Sequence, residues 1–458
     1  MINDLKEFIA IKSVLGEPAE GAPFGKENSE ALRLFLDKAE SYGLKVGNDD
    51  GYAGWAEYGE GEKMVGILAH LDVVPAGNGW STDPFTLTIE NGKLYGRGVS
   101  DDKGPMIACL HALKRLAEER ANLGARVRLI VGCNEENGSS CIEHYVRNQE
   151  LPTVSFTPDS DFPVVASEKG IVHVLFTLPI SQKLDGITLS GGCRPNVVPD
   201  YAELNIGEDS ELYQKLTTTY PIISDLLRSE KVAIKLAENG CDFADYSFTL
   251  AKGLSVSTIG AAAHGSTPEK GDNALRKVLS LLSALTNDAG AEMASRLASP
   301  DAVKLFGIEA EDVTGKLTLN LGICNIENGV ISLTIDLRLP ATVNYAEVIE
   351  KISARFSKGV KVQVLHNSSP LAFDENDELV QALLGVYRKC TGDYESHPLH
   401  IGGGTYAKEL PNCIGFGAVF PSVDTRMHDA DECYPVQDFY KLEEIYYRAI
   451  KELCKLVK

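Results

Sequence analysis

The chain has 458 residues and is 44% hydrophobic, enough to bury a sizeable core in each of two or three ordinary domains, which argues against a disordered chain. Its 44 Lys and Arg stand against 65 Asp and Glu, a formal net charge of −21, which repels phosphate backbones and anionic lipid and so argues against nucleic acid or a membrane surface as partner. The ten cysteines form no CxxC pair and no compact framework, the usage of reduced structural thiols, and no uninterrupted apolar stretch reaches 18 residues, so the cytoplasm is the expected compartment.

The opening MINDLKEFIAIKSVLG mixes charged and apolar residues at helical spacing, unlike a signal peptide or a membrane anchor. Hydrophobic periodicity then predicts an amphipathic helix over 28–42, a strand at MVGILAH, a helix at GPMIACLHALKRLAEE, and strands at RVRLIVGC and TVSF. This alternation predicts an α/β fold with helices on both faces of a mixed sheet. After TPDSDFP the texture changes to strand-like runs such as IVHVLFTL, LSVSTIGAAAHGS, GKLTLNLGICNIENG and VISLTIDLRLP, with helices expected around 209–228, 272–298 and 343–356. An inserted α+β domain is therefore expected over 166–371. ELVQALLGVYRKCTG, CIGFGAVFP and the closing amphipathic FYKLEEIYYRAIKELCKLV resume the first pattern, so residues 1–165 and 372–458 are expected to form one discontinuous domain.

Four of the predicted strands run into metal-competent groups at or shortly beyond their C-terminal ends. They are His70 and Asp72 after MVGILAH, Glu135 and Glu136 after RVRLIVGC, Asp159 after TVSF, and His428 after IGFGAVF. That edge of an open α/β sheet is where sites form. In His70-Leu71-Asp72 the first and third residues of an extended segment point the same way, so Asp72 can hydrogen-bond the imidazole. In GRGVSDDKGP the loop delivers Asp101 and Asp102 to a helix start, where they can act as ligands or simply as caps. The adjacent Glu135 and Glu136 repel each other unless cations neutralise them, and a metal ligand beside a proton-transfer base is the natural division of labour. Asp159 and Asp161 in TPDSDFP and His428 in DTRMHDADECY would each pass as ordinary turn residues if they stood alone.

Two histidines with at least three carboxylates suit a pair of borderline divalent ions such as zinc, manganese or cobalt. Such a pair activates water for hydrolysis, with Glu135 placed to carry the proton to a leaving amine. In the inserted domain, His264 in AAAHGSTPEKGDNA can stabilise an oxyanion and Arg338 in IDLRLP can grip a carboxylate. Asn196 in GGCRPNVVPD and Gly402, Gly403 and Gly404 in HIGGGTYAK offer further donors, a weak signal taken alone.

Taken together, GILAHLDVVPAGNGW, LYGRGVSDDKGP, CNEENGSS, FTPDSDFP, NVVPD, AAAHGSTPEKGDNA, IGGGTYAK and GAVFPSVDTRMHDADE resemble, in order, the M20 metallopeptidase family, and within it the bacterial dipeptidases related to carnosinases. The resemblance runs along nearly the whole chain. It implies His70 and Asp159 on one metal, Glu136 and His428 on the other, and Asp101 bridging the two. It further implies Asp72 orienting His70, Glu135 as general base and acid, and a cis peptide between Asp101 and Asp102. His264 would act from a lid domain, with Asn196, Arg338 and the glycine loop recognising the carboxylate of a dipeptide substrate, although the family often has RYP where this chain has RLP. The resemblance is to dipeptidases whose enlarged lid supplies this histidine within one chain, and it therefore implies a monomer. Two other readings stay open on the sequence: an amidohydrolase of N-acyl amino acids, and a metal-dependent binding protein that has lost catalysis.

Overall fold

The computed structural model describes residues 1–219, 230–356 and 359–458. The chain divides into two compact units, one made of Met1–Ser167, Ala372–His400 and Gly404–Lys458, the other of Glu168–Leu371 and Ile401–Gly403.

At the centre of the first unit, four parallel strands lie in the order Arg126–Gly132, Met64–His70, Val154–Thr157 and Cys413–Gly415. Every residue of Met64–His70 is buried. A strand covered on both faces needs an unbroken apolar run instead of an alternating one, which MVGILAH supplies. Lys45–Asp49 and Ala53–Tyr58 extend the sheet antiparallel from Arg126–Gly132, so the sheet is mixed, as expected. Helices α1 (Ile2–Ile9), α2 (Lys26–Ser41) and α3 (Lys103–Glu118) precede and interleave with these strands. α3 and the helix Val436–Leu456 pack on each other and on Met64–His70.

In the second unit, the strands run antiparallel in the order Tyr246–Ala251, Gly253–Ile259, Tyr201–Ile206, Ile187–Gly191, Thr318–Glu327, Val330–Leu339, Gly170–Pro179 and Lys361–Ser368. Gly170–Pro179 alternates buried and half-buried residues along GIVHVLFTLP, the period-two pattern of a strand with one face on a core. The helix Ala274–Thr286 lies against Tyr201–Ile206 and Gly253–Ile259 and buries Val278, Leu279, Leu281 and Leu282. Residues 401–403 group with this unit, where the Ile401 carbonyl accepts the Lys169 amide at 3.1 Å.

Several predicted elements differ in detail. The helix expected over 272–298 is two helices, Ala274–Thr286 and Ala289–Leu297, because Asn287 takes a left-handed conformation and the Asp288 side chain caps the second by accepting the Ala291 amide. The run CIGFGAVFP breaks into Cys413–Gly415 and Ala418–Val419 at Gly417, whose φ is +77° and where a Cβ would meet the Phe162 ring at 2.3 Å. The helix expected over 209–228 is seen as Glu211–Thr219, and residues 220–228 of that expectation lie outside the described residues. The helix Ser140–Asn148 was not predicted. Among the described residues, no helix is long and apolar enough to cross a membrane.

Asp4 ties α1 to its neighbours by accepting hydrogen bonds from Tyr42 at 2.5 Å, His111 at 2.6 Å and Lys38 at 3.0 Å. Burial favours the neutral acid, but these three donors outweigh it and hold the Asp4 carboxyl below the usual carboxylate range. A carboxyl depressed by folding contributes stability that is complete above its unfolded pKa, about 4, and is lost as the pH falls below it. Asp4→Asn is therefore expected to lower Tm at neutral pH and to flatten its decline from about pH 5 to about pH 2. Scanning calorimetry across that range checks this, and an unchanged decline would contradict it.

Candidate metal centre

The four parallel strands end on one edge of the sheet, and the turns beyond them carry the expected groups. His70 is the last residue of its strand and is fully buried. Its Nδ1 lies 3.0 Å from the Asp72 carbonyl oxygen. A carbonyl only accepts, so Nδ1 carries a ring proton, and Nε2 is the nitrogen turned to the acid cluster, where it would be the ligand atom. Nε2 faces Asp101 Oδ1 at 2.9 Å and Asp159 Oδ2 at 3.9 Å. Asp72 does more than meet the imidazole, since its two carboxylate oxygens accept the backbone N–H groups of Glu135 at 3.0 Å and Glu136 at 3.1 Å. One buried side chain thus fixes the turn after Arg126–Gly132 relative to His70.

Asp101 lies between the two histidines. One oxygen is at His70 Nε2 and the other is 2.8 Å from His428 Nε2. His428, half-exposed in the loop after Ala418–Val419, also approaches Glu136 Oε2 at 3.3 Å. Among the described residues, ligand atoms converge in two overlapping groups, His70 with Asp101 and Glu136, and His70 with Glu135 and Asp159, each within 4.8 Å. The structure thus brings His70, Asp72, Asp101, Glu135, Glu136, Asp159 and His428 together. The peptide between Asp101 and Asp102 is cis.

The electrostatics of this cluster test whether cations fit. Burial, reinforced by the neighbouring acids, pushes the Asp159 carboxyl up to about 7 and raises those of Glu136 and Glu135, the last well above the ordinary range. Burial also favours neutral Asp101, but hydrogen bonds from His428 and His70 outweigh it and hold this carboxyl low. Its two carboxylate bonds in turn push His428 up to about 11. Four carboxyl groups within reach of two imidazoles are short of positive charge, and two nitrogen and several oxygen donors are the set that borderline divalent ions take. The residues present therefore fit a divalent metal centre.

Several residues that hold this geometry were not anticipated. Glu432 is fully buried; it accepts Arg97 Nη1 at 2.7 Å, the Ser100 amide and hydroxyl at 2.9 and 2.8 Å, and the amides of Gly98 and Asp101. Arg97 Nη2 also lies 3.3 Å from the His428 carbonyl. The pair thus joins the loop bearing Asp101 to the loop bearing His428. Tyr406 packs edge-on to the His70 ring with centroids 5.8 Å apart, and its hydroxyl sits where a Cβ on Gly132 would come within 1.9 Å, so that strand end must be glycine. Asp102, expected as a ligand or a cap, makes no side-chain cap and instead accepts the His70 amide at 3.0 Å. The only sequence cue to these residues was their presence inside motifs, because their pairings span up to 335 positions.

The remaining expected residues lie elsewhere in the chain. His264, Asn196, Arg338, Gly402 and Gly403 belong to the second unit and Gly404 to the first. Within the second unit, the Gly265 amide donates to the Asn196 carbonyl at 2.7 Å and His264 Nδ1 meets Ser266 Oγ at 2.7 Å. A Cβ on Gly402 would contact the Ser266 side chain at 3.3 Å. Burial, with the nearby Arg338 charge, lowers the His264 pKa and favours the neutral ring. Arg338 Nε is held by the Asp336 carboxylate at 3.0 Å.

Comparison with known proteins bears on what this arrangement does. Residues 66–452 match the model of "Peptidase family M20/M25/M40". The chain is 33% identical over 470 residues to a Bacillus subtilis (strain 168) protein named "Putative dipeptidase YtjP", covering 99% of this chain and 97% of that relative. It is 32% identical to a Staphylococcus aureus (strain USA300) protein also named as a putative dipeptidase, with the same coverage. Among solved structures, human carnosine dipeptidase 1 is similar in fold, with a TM-score of 0.55 and 17% identity over 99% of this chain and 96% of that one. A Staphylococcus aureus tripeptidase gives 0.59 and 13% over 99% and 98%.

Replacing Glu432 by Gln would leave the Arg97 guanidinium buried without its countercharge. Removal of one partner from a buried pair costs roughly 3 to 5 kcal/mol, so Glu432→Gln is expected to lower the unfolding free energy of the metal-free protein by that order, read as a downward shift of its urea midpoint. A midpoint within error of wild type would show that the pair does not hold these loops.

Proposed function

The chain belongs to peptidase family M20/M25/M40, and from that premise we propose that this metallopeptidase is a dipeptidase that works with two divalent metal ions, zinc or manganese with cobalt as a further candidate. The observation that carries the reading is Asp101, whose two carboxylate oxygens each face a different histidine. In this assignment His70 and Asp159 hold one ion, Glu136 and His428 the other, and Asp101 contributes to both. Bound there, a metal pair supplies Lewis acidity toward the scissile carbonyl and lowers the pKa of the attacking water.

The chain's own groups do the rest. Asp72 fixes the His70 tautomer through its carbonyl and presents Glu135 and Glu136 through its carboxylate. Glu135 takes the proton of the attacking water on its carboxylate and delivers it to the leaving amine, so that bond cleavage releases a neutral amine. The proposal assigns oxyanion stabilisation to neutral His264 of the second unit, and recognition of the dipeptide carboxylate to Arg338, Asn196, Gly402 and Gly403 of that unit together with Gly404 of the first. The second unit acts in this reading as a lid that limits substrates to short peptides. Dipeptide substrates are supported by the names of the relatives 32 and 33% identical to this chain. The proposed working form is a monomer in the cytoplasm.

Metal-stripped protein is expected to regain release of free amino acids from small dipeptides when zinc, manganese or cobalt is returned, and to leave N-acyl amino acids intact. Turnover of N-acyl substrates alone would move the assignment to an amidohydrolase. Glu135→Gln is expected to bind metal as wild type does while kcat falls about 100- to 10,000-fold. Full turnover by that variant would remove Glu135 from its role.

A further inference from the structure

Residues 1–13 lie outside the 66–452 region of the family match, and the function proposed above uses none of them. They nevertheless touch both loops that carry the assigned ligands. Ser13 is fully buried; its hydroxyl donates to the Leu71 carbonyl at 2.6 Å and its own carbonyl accepts the Val73 amide at 3.0 Å. These two bonds bracket Asp72, the residue that orients His70 and holds the turn bearing Glu135 and Glu136. On the other side, Lys103 follows Asp101 and Asp102 directly and is fully buried. Its ammonium donates to the carbonyls of Phe8 at 3.0 Å and Ile11 at 2.8 Å, at and just beyond the end of α1, where a positive charge is favoured.

The packing follows the same path. A Cβ on Gly98 would come within 3.0 Å of the Lys103 stem, and one on Gly96 within 3.0 Å of Ile9. The glycines of the loop leading to Asp101 thus make room for α1 and for the lysine that grips it. An ammonium buried in this way is costly to desolvate, and an apolar side chain of similar length would fill the same space without that cost. What the two directional bonds of Lys103 supply, and an apolar side chain would not, is a fixed orientation of the loop against α1.

We propose that residues 1–13 are a positioning strap for the metal centre, in which Ser13 fixes the His70–Asp72 turn and Lys103 fixes the Asp101–Asp102 turn, so that metal affinity depends on both. The inference rests on the assignment of His70 and Asp101 as ligands. It concerns positioning residues, since neither Ser13 nor Lys103 is assigned contact with metal or substrate.

The test uses the full chain and two readouts, zinc affinity by competition with a chromogenic chelator and Tm without and with zinc. Outer partners of metal ligands typically change affinity by about 10- to 100-fold. Ser13→Ala and Lys103→Met are each expected to weaken zinc by at least about 10-fold and to shrink the zinc-induced rise in Tm. Ile450→Val, a buried change in the helix Val436–Leu456, is expected to lower Tm without zinc and leave affinity unchanged. Wild-type affinity in both strap variants, or a loss no larger than in Ile450→Val, would overturn the proposal, and Ser13→Ala decides alone if Lys103→Met does not fold. His70→Ala separates the two levels: zinc binding that survives it would refute the ligand assignment itself, whereas binding lost there but intact in the strap variants would refute only the strap.

Discussion

The constraint on which the first unit depends is the Asp101 carboxylate, held between two histidines and surrounded by three other acids at one sheet edge. Buried like charges at such spacing repel, and the chain keeps them there by spending backbone amides, a buried arginine and a buried lysine on the segments around them. Asp72 takes the amides of Glu135 and Glu136, Glu432 takes those of Gly98, Ser100 and Asp101, and Asp102 takes that of His70. Each of these carboxylates binds the main chain next to an assigned ligand, so the positions of the ligands are set by acids that are not themselves ligands in the assignment.

Much of the fold was legible because its signals are local. A fully buried parallel strand reads as an unbroken apolar run, and MVGILAH and RVRLIVGC were found that way. The interruptions were harder to see. Asn287 ends a helix through a left-handed conformation that the apolar periodicity on both sides conceals, and Gly417 divides a run that looks continuous in composition. The helix Ser140–Asn148 escaped because SCIEHYVRN is short and buries only Cys141, Ile142 and Tyr145.

The cluster at the sheet edge was legible for a related reason. Strand periodicity predicts where each strand stops, and the polar groups beyond the stops of parallel strands are bound to meet. Its supports were not legible, since nothing local distinguishes Glu432 in DADECY from the acids beside it, or Arg97 in GRG from a surface charge. Their burial is a property of the folded pair, visible only once loops 335 residues apart are in contact.

The same reasoning explains why the centre needs elements from so much of the first unit. A metal centre demands ligands fixed to a few tenths of an ångström, while loops at a sheet edge have few apolar neighbours to hold them. Hydrogen bonds from buried charged groups can supply that rigidity, but each such group carries a desolvation cost that must be met by geometry good enough to satisfy all of its donors or acceptors. Glu432 meets this condition with five distinct donor groups, and two of the three donors of the Lys103 ammonium are met by the carbonyls of Phe8 and Ile11. Loosening either of them leaves a buried charge unpaired on the segments that carry Asp101, which is why the cost of these supports and the placement of the ligands are set by the same hydrogen bonds.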